Sequence, residues 1–347
     1  MDESIARGLM RQHMRRSTVV TEERQQRLNG YLKEPAQRLL AGRPIANPTA
    51  VMAGWRSMMG KWGAKVVPVP DNLDAVVEKG AYRQACAFWT GWTPLLLDYT
   101  VKVYQDGEVL KTDLKDQEMM SLDVMVDLLA VDRKGMLSAC TVAPVQIDRH
   151  ALQRWLQRQP GGDIQGFERS CLEAVPMIAL QHSIVDSSQT SIGSAVPLGD
   201  GLLLGNCCER SGKDKDVVFG QQQVATQGKS WAAPALPVGT GFVKGDVIGG
   251  QFFAGQTFFG PRQLNDGLGA IREALVNWQT HHQEGLDLMW GWLARAALDN
   301  AIPALPSAVL PARNALIEIM TSDLWRRHVI LRSSRAIARS HDLQACA

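Results

Sequence analysis

A chain of 347 residues with 45% hydrophobic and 21% charged residues has the composition of an ordinary globular protein and length enough for two domains, which excludes wholesale disorder. Its net charge of +2 is too small to demand a nucleic acid or a membrane as partner, so any electrostatic function has to be local. The six cysteines contain no CxxC pair, which removes a structural zinc from consideration, and neither a secretory leader nor a run of roughly 18 apolar residues is legible. The expectation is a protein without a membrane segment, cytoplasmic or exported without a cleaved signal, and without a cofactor.

Residues 1 to 62 read as helical. Thr21 followed by Glu22 and Glu23 suits a first turn, and Asn47-Pro48 is a cap followed by proline at the first helical position. The helix after it carries Val51, Met52, Trp55, Met58 and Met59 at helical spacing, which reads as a core or docking face. The first 45 residues hold nine Lys or Arg against five Asp or Glu, an excess that reads as a solvated face.

From Lys65 the pattern turns to β. Lys65 to Val69 is short and β-branched, and Leu95 to Tyr104, Asp106-Gly107 and Glu108 to Leu114 form the sequence of a hairpin. Leu122 to Val131 and Met136 to Val142, separated by residues 132 to 135, repeat it, so a β-rich meander is expected from about 94 to 146, with the 120s open to a helical alternative. A helix capped by Asp148 follows and is stopped by Pro160-Gly161-Gly162. Asp163 caps a second helix toward His182, which Pro176 should bend or break. Short strands are expected at Ser194 to Leu198, Leu202 to Cys207, Val217 to Val224 and Gln251 to Phe259, with a turn at Gly199-Asp200-Gly201. Helix resumes at Pro261 and runs to Asp299, prolines 303, 306 and 311 break it, and a last helix capped near Ser322 continues to about Ser340. The fold class expected is α+β: a central antiparallel β-rich domain with packed helices over 63 to 262, flanked by helical regions at 1 to 62 and 263 to 347.

The one stretch whose charges suggest chemistry is 148 to 158. On a helix His150, Arg154 and Arg158 stand at i, i+4 and i+8 and share a stripe, while Leu152, Trp155 and Leu156 take the opposite side. An imidazole beside two guanidiniums is a set that handles phosphate: histidine titrates near neutral pH, and arginine offers a planar fork of donors. The plain reading is an amphipathic helix with a wet face. His328, Arg332, Arg335 and Arg339 make a second basic stripe, a nucleic-acid contact or another solvated face.

Three rivals are weaker on chemical grounds. Gln223 to Ser230 looks like a phosphate loop, but Gln223 replaces the first glycine, and Pro234 and Pro237 stand where the required helix should begin. His281, His282 and Glu284 lack the i+4 histidine of a metalloprotease helix, so no metal is expected there. The adjacent Cys207 and Cys208 read as buried thiols rather than a redox pair.

The arrangement His-Ala-x-x-Arg-x-x-x-Arg at 150 to 158, after a strand and before a second helix and several strands, resembles a helix of the barnase, EndoU, colicin and RelE-like ribonuclease toxins. That resemblance covers about 110 residues, from about 148 to 260. It implies a curved antiparallel sheet after short helices and metal-independent RNA cleavage. It carries over to His150 as general acid or base, to Arg154 and Arg158 as phosphate clamps, and to Thr257 as a polar group on a late strand. One histidine cannot supply both acid and base, so the site implied is incomplete. RNA is the partner on this reading. The competing reading is a non-enzymatic interaction or scaffold protein that binds a protein partner through its helical ends.

Overall fold

A computed structural model describes residues 2–41, 43–70, 72–74, 84–94, 102–105, 108–111, 120–131, 137–184, 191–209, 251–299 and 303–330. The chain opens with the long helix α1 (Glu3–Leu40) and with α2 (Pro48–Lys61), whose amino end is held by the Asn47 side chain accepting from the Ala50 amide. Strands β1 (Lys65–Pro68) and β2 (Gln84–Pro94) follow, then a separate hairpin of β3 (Lys102–Gln105) and β4 (Glu108–Lys111). Next come β5 (Met120–Val131), β6 (Leu137–Asp148), α3 (Arg149–Arg158), α4 (Ile164–Glu173) and α5 (Val175–His182). Strands β7 (Ser191–Leu198), β8 (Gly201–Glu209) and β9 (Gln251–Phe259) complete the sheet, and helices α6 (Asp266–His281), α7 (Gln283–Asp299) and α8 (Leu310–Thr321) end the ordered series. The architecture is α+β, with helical regions at both ends of the described chain.

Seven strands form one sheet in the order β1-β2-β5-β6-β9-β8-β7, antiparallel at every junction except β6–β9, which is parallel. β5 is a strand throughout, so the helical alternative for the 120s is not taken. Its residues alternate between two buried faces: Leu122, Val124, Val126 and Leu128 enter the larger core, while the other face carries the buried Asp123 and Asp127, the latter accepting from Trp89 Nε1, and ends at Leu129, which joins the smaller core with Ala85, Ala87, Met52, Trp55 and Met59. A strand buried on both faces loses the polar half of its alternation, which is why β2 does not announce itself in the sequence. The larger core includes Ala6 and Met14 of α1, Trp292 of α7 and Val329 near the end of the described chain, so both helical regions pack against the sheet.

Local chemistry sets most boundaries as expected. Pro176 falls in the first turn of α5, so the helix begun at Asp163 breaks at Ala174. Gly199, at φ +50, makes the tight turn from β7 to β8. Pro311 behaves differently: it lies in the first turn of α8, where a missing amide costs no intrahelical bond, and it starts a helix where a break was expected. Ser322 does cap the next turn, accepting from the Trp325 amide, and Arg326–Ile330 then form one π-helical turn. The segment Val217 to Val224 and the phosphate-loop-like Gln223 to Ser230 lie outside the described residues.

Candidate functional sites

The helix singled out by its sequence forms as expected. Asp148 caps α3, its carboxylate accepting from the His150 amide, and the helix ends where Gln159 leaves helical geometry. Trp155 anchors the apolar side: it is 4% exposed, donates from Nε1 to the Asp163 carbonyl at 2.9 Å, and packs at a tilt against Phe258 and Phe167 at 5.1 and 5.6 Å between ring centroids.

The polar stripe divides into two roles. His150 is exposed, and its Nε2 accepts from Arg154 Nε at 3.3 Å. Partial burial of the ring and then the Arg154 charge hold this imidazole below its ordinary value of 6.5, while Asp148 pulls the other way. Because the residue as a whole is exposed, the Arg154 contact is the part of that shift with a defined geometry. Arg154 also donates to Gln157 Oε1 at 2.9 Å. Arg158 turns to the sheet instead: it donates to the Phe258 carbonyl at 2.7 Å and lies over the Phe259 ring. Its fork fastens α3 to the end of β9, where Gly260 leaves no room for a Cβ against the Arg158 backbone.

Thr257 is half-buried on β9 opposite Leu204, and no hydrogen bond joins it to His150, Arg154 or Arg158 among the described residues. The cause is a bulge. Between Leu204 and Gly205 the register shifts by one, so Gln256 is the extra residue on β9. Phe253 and Phe258 thereby share the core, and strand alternation assigns Thr257 to the face opposite Phe258, against which Trp155 packs. Arg332, Arg335 and Arg339 lie outside the described residues, while His328 sits in the π-helical turn with its ring against Gly267.

A second cluster lies where sequence reading put only a solvated face. The buried seam of α1 runs through Met10, Met14, Thr21, Leu28 and Leu32 at the three- and four-residue steps of a helix facing a core. In its middle the seam turns polar, with His13, Ser17, Thr21 and Arg24. These residues, the end of β2 and Glu168 of α4 enclose a cleft of about 340 Å³. Gly91 lets the helix approach, since Thr21 already lies 3.2 Å from where a Cβ would stand. Glu168 Oε1 accepts from Trp92 Nε1 at 2.6 Å and meets His13 Nε2 at 2.9 Å, and Ser17 Oγ is 2.9 Å from the same nitrogen. The Arg24 guanidinium stands over the Trp89 and Trp62 rings at 5.5 and 5.9 Å.

Comparison with protein-family models, with curated proteins and with solved structures finds no match for this chain. The chemistry of the two clusters therefore has to carry the functional argument.

The cleft is not a nucleophilic triad. In such a triad the base uses one ring nitrogen for the nucleophile and the other for its carboxylate, whereas Ser17 and Glu168 converge here on Nε2. A carboxylate can only accept, so Nε2 carries the proton and offers it to Glu168, with Ser17 Oγ sharing it as a second acceptor. The remaining candidates make local contacts. His281 Nδ1 is 2.6 Å from the Asn277 carbonyl, and the His282 ring lies tilted against Trp278. No group of three or more His, Cys, Asp and Glu among the described residues is arranged to hold a metal ion. Cys86, Cys171 and Cys207 are buried thiols, and burial followed by the Glu168 charge raises the Cys171 thiol well above its usual range. No helix among the described residues is long and apolar enough to cross a membrane.

Proposed function

We propose that this chain acts on RNA without a metal, through the exposed face of α3. The observation that supports the reading is the His150–Arg154 contact: a solvent-facing imidazole kept below its ordinary pKa, bonded at 3.3 Å to a guanidinium. At neutral pH that imidazole is unprotonated and is ready as a general base, while Arg154 supplies charge for a phosphate beside it. The Arg154 contact occupies the one lone pair of His150 Nε2, so a bound phosphate must first draw Arg154 away; Nε2 then takes the proton from a ribose 2′-hydroxyl, and the 2′-oxygen attacks the adjacent phosphorus. The bond to the 5′-oxygen breaks, leaving a 2′,3′-cyclic phosphate, and the leaving oxygen takes its proton from water, which reaches this face freely. Arg158 serves by fixing α3 on β9, and the basic stripe of Arg332, Arg335 and Arg339 is a further candidate for nucleic-acid contact. Thr257 enters only if the substrate itself bridges to β9.

The test is incubation of the protein with total RNA in EDTA beside His150→Ala and Arg154→Ala variants. Cleavage that falls by about a hundredfold or more in His150→Ala, the share a positioned base commonly contributes, supports the reading. Equal inactivity of wild type and variant sinks it.

One observation favours a second reading, that of a protein-binding scaffold. Ile5, Leu9, Val19 and Val20 of α1 are large apolar residues left 42 to 56% exposed. On that reading size-exclusion chromatography with light scattering finds self-association or a bound protein, and a strictly monomeric, partner-free chain argues against it.

A further inference from the structure

The polar interruption of the α1 seam is expensive unless something is gained. Positions 17, 21 and 24 fall where the neighbouring turns place Met14, Leu28 and Leu32, yet they carry a serine, a threonine and an arginine against the sheet. Thr21 spends its hydroxyl on the Ser17 carbonyl at 2.8 Å. Arg24 has no such outlet: no carboxylate lies within 4.0 Å of it and no acceptor takes its N–H groups among the described residues. Two indole faces hold the guanidinium in place and satisfy its charge in part, but its planar fork of donors stays unspent. Burial lowers the pKa of Arg24 and the nearby Glu168 charge raises it, as expected of a cation partly withdrawn from water.

We propose that the cleft between α1, the end of β2 and α4 binds a small organic oxyanion, a carboxylate or a phosphate ester, anchored by the Arg24 guanidinium. The charge balance suits an anion. Arg16 and Arg24 are cations of the lining, and Glu168 is its one carboxylate among the described residues. Glu168 is already engaged by two N–H donors, Trp92 Nε1 and His13 Nε2, which hold it in place and blunt its repulsion of a second anion. With Nε2 giving its proton to Glu168, the Ser17 hydroxyl hydrogen is available for a ligand oxygen, a second donor beside Arg24. The apolar part of the ligand lies along Leu172 and the exposed Val20 at the rim, over a floor of Trp89 and Trp92 that are each 1% exposed. A volume of about 340 Å³ is at the small end for ligand sites, so it takes a metabolite-sized molecule and excludes an RNA strand. This site is separate from the α3 face and does not rest on the RNA reading.

Titration calorimetry on the full chain tests it with phenyl phosphate, benzoate and the neutral benzyl alcohol as probes. Saturable binding of either anion, about tenfold or more tighter than the alcohol, is expected, and the ratio of the two anions tells which oxyanion the cleft takes. Arg24→Gln should weaken the anion about tenfold or more, and Arg24→Lys, which keeps the charge without the fork, should fall between. Should Arg24→Gln fail to fold, Val20→Trp fills the cleft from its exposed rim without touching the core, and it should abolish binding. His150→Ala should bind as wild type does. Absence of saturable anion binding, equal affinity for the alcohol, or wild-type affinity in Val20→Trp overturns the proposal.

Discussion

Two histidines show how differently one residue type is used in this molecule. His150 is exposed beside Arg154, and its pKa is held below 6.5, so the base form is present at neutral pH and is lost as the pH falls through the lowered value. If α3 cleaves RNA, the acid limb of the kcat/KM profile lies below pH 6.5, and Arg154→Gln moves it toward that value by removing a neighbouring charge. His182 is 4% exposed, its Nε2 has no hydrogen-bond partner among the described residues, and burial lowers its pKa to about 3. The folded state keeps it neutral while the unfolded chain takes up a proton near 6.5, so stability present above that pH is lost progressively below it, down to about pH 3. The expected cost is about 1.4 kcal/mol per pH unit through that window. Urea unfolding of wild type and His182→Met at pH 7 and pH 5 checks this; parallel losses in both proteins would assign the acid sensitivity elsewhere.

At the scale of the element, α3 owes its existence to a cap and its position to a tryptophan. Asp148→Ala removes the acceptor for the His150 amide and should cost about 1 kcal/mol, while Trp155→Ala empties the contact with Phe258 and Phe167 and should cost about 3 to 5 kcal/mol. Chemical denaturation read by circular dichroism separates the two. A Trp155→Ala loss no larger than that of Asp148→Ala would mean that α3 is held mainly by Arg158. The cap was legible because it is local: an aspartate before an amphipathic run says the same in sequence and in space. β2 was not, since Cys86 and Phe88 face one apolar surrounding and Ala85 and Ala87 the other, so its residues show no polar face. Pro311 misled for a related reason, because proline ends a helix from within and begins one from its first turn, and only the position of α8 tells which.

At the scale of the molecule, α1 is the element that joins the parts. Its amino-terminal half supplies Met10 and Met14 to the larger core, its carboxy-terminal half supplies Leu28 and Leu32 to the smaller, and its middle walls the cleft. Removal of residues 2 to 41 would uncover both apolar surfaces together, so the truncated chain is expected to aggregate or to bind a hydrophobic dye and melt without a cooperative transition. A truncated chain that melts cooperatively near the wild-type temperature would show α1 to be an accessory.

The helical ends around a β-rich centre, the α+β class, the Asp148 cap and the stripe of His150, Arg154 and Arg158 were determined by sequence alone, because each depends on patterns among residues close together in the chain. The use of that stripe was decided by tertiary structure, since a bulge at Gln256 sets the face of Thr257 and the end of β9 claims Arg158. The cleft was decided there too: His13 and Glu168 stand 155 positions apart, and nothing in either neighbourhood says that they meet. Its one sequence signal is the run of Ser17, Thr21 and Arg24 on a seam otherwise built of methionine and leucine, and it becomes readable only once the sheet shows which side of α1 is buried.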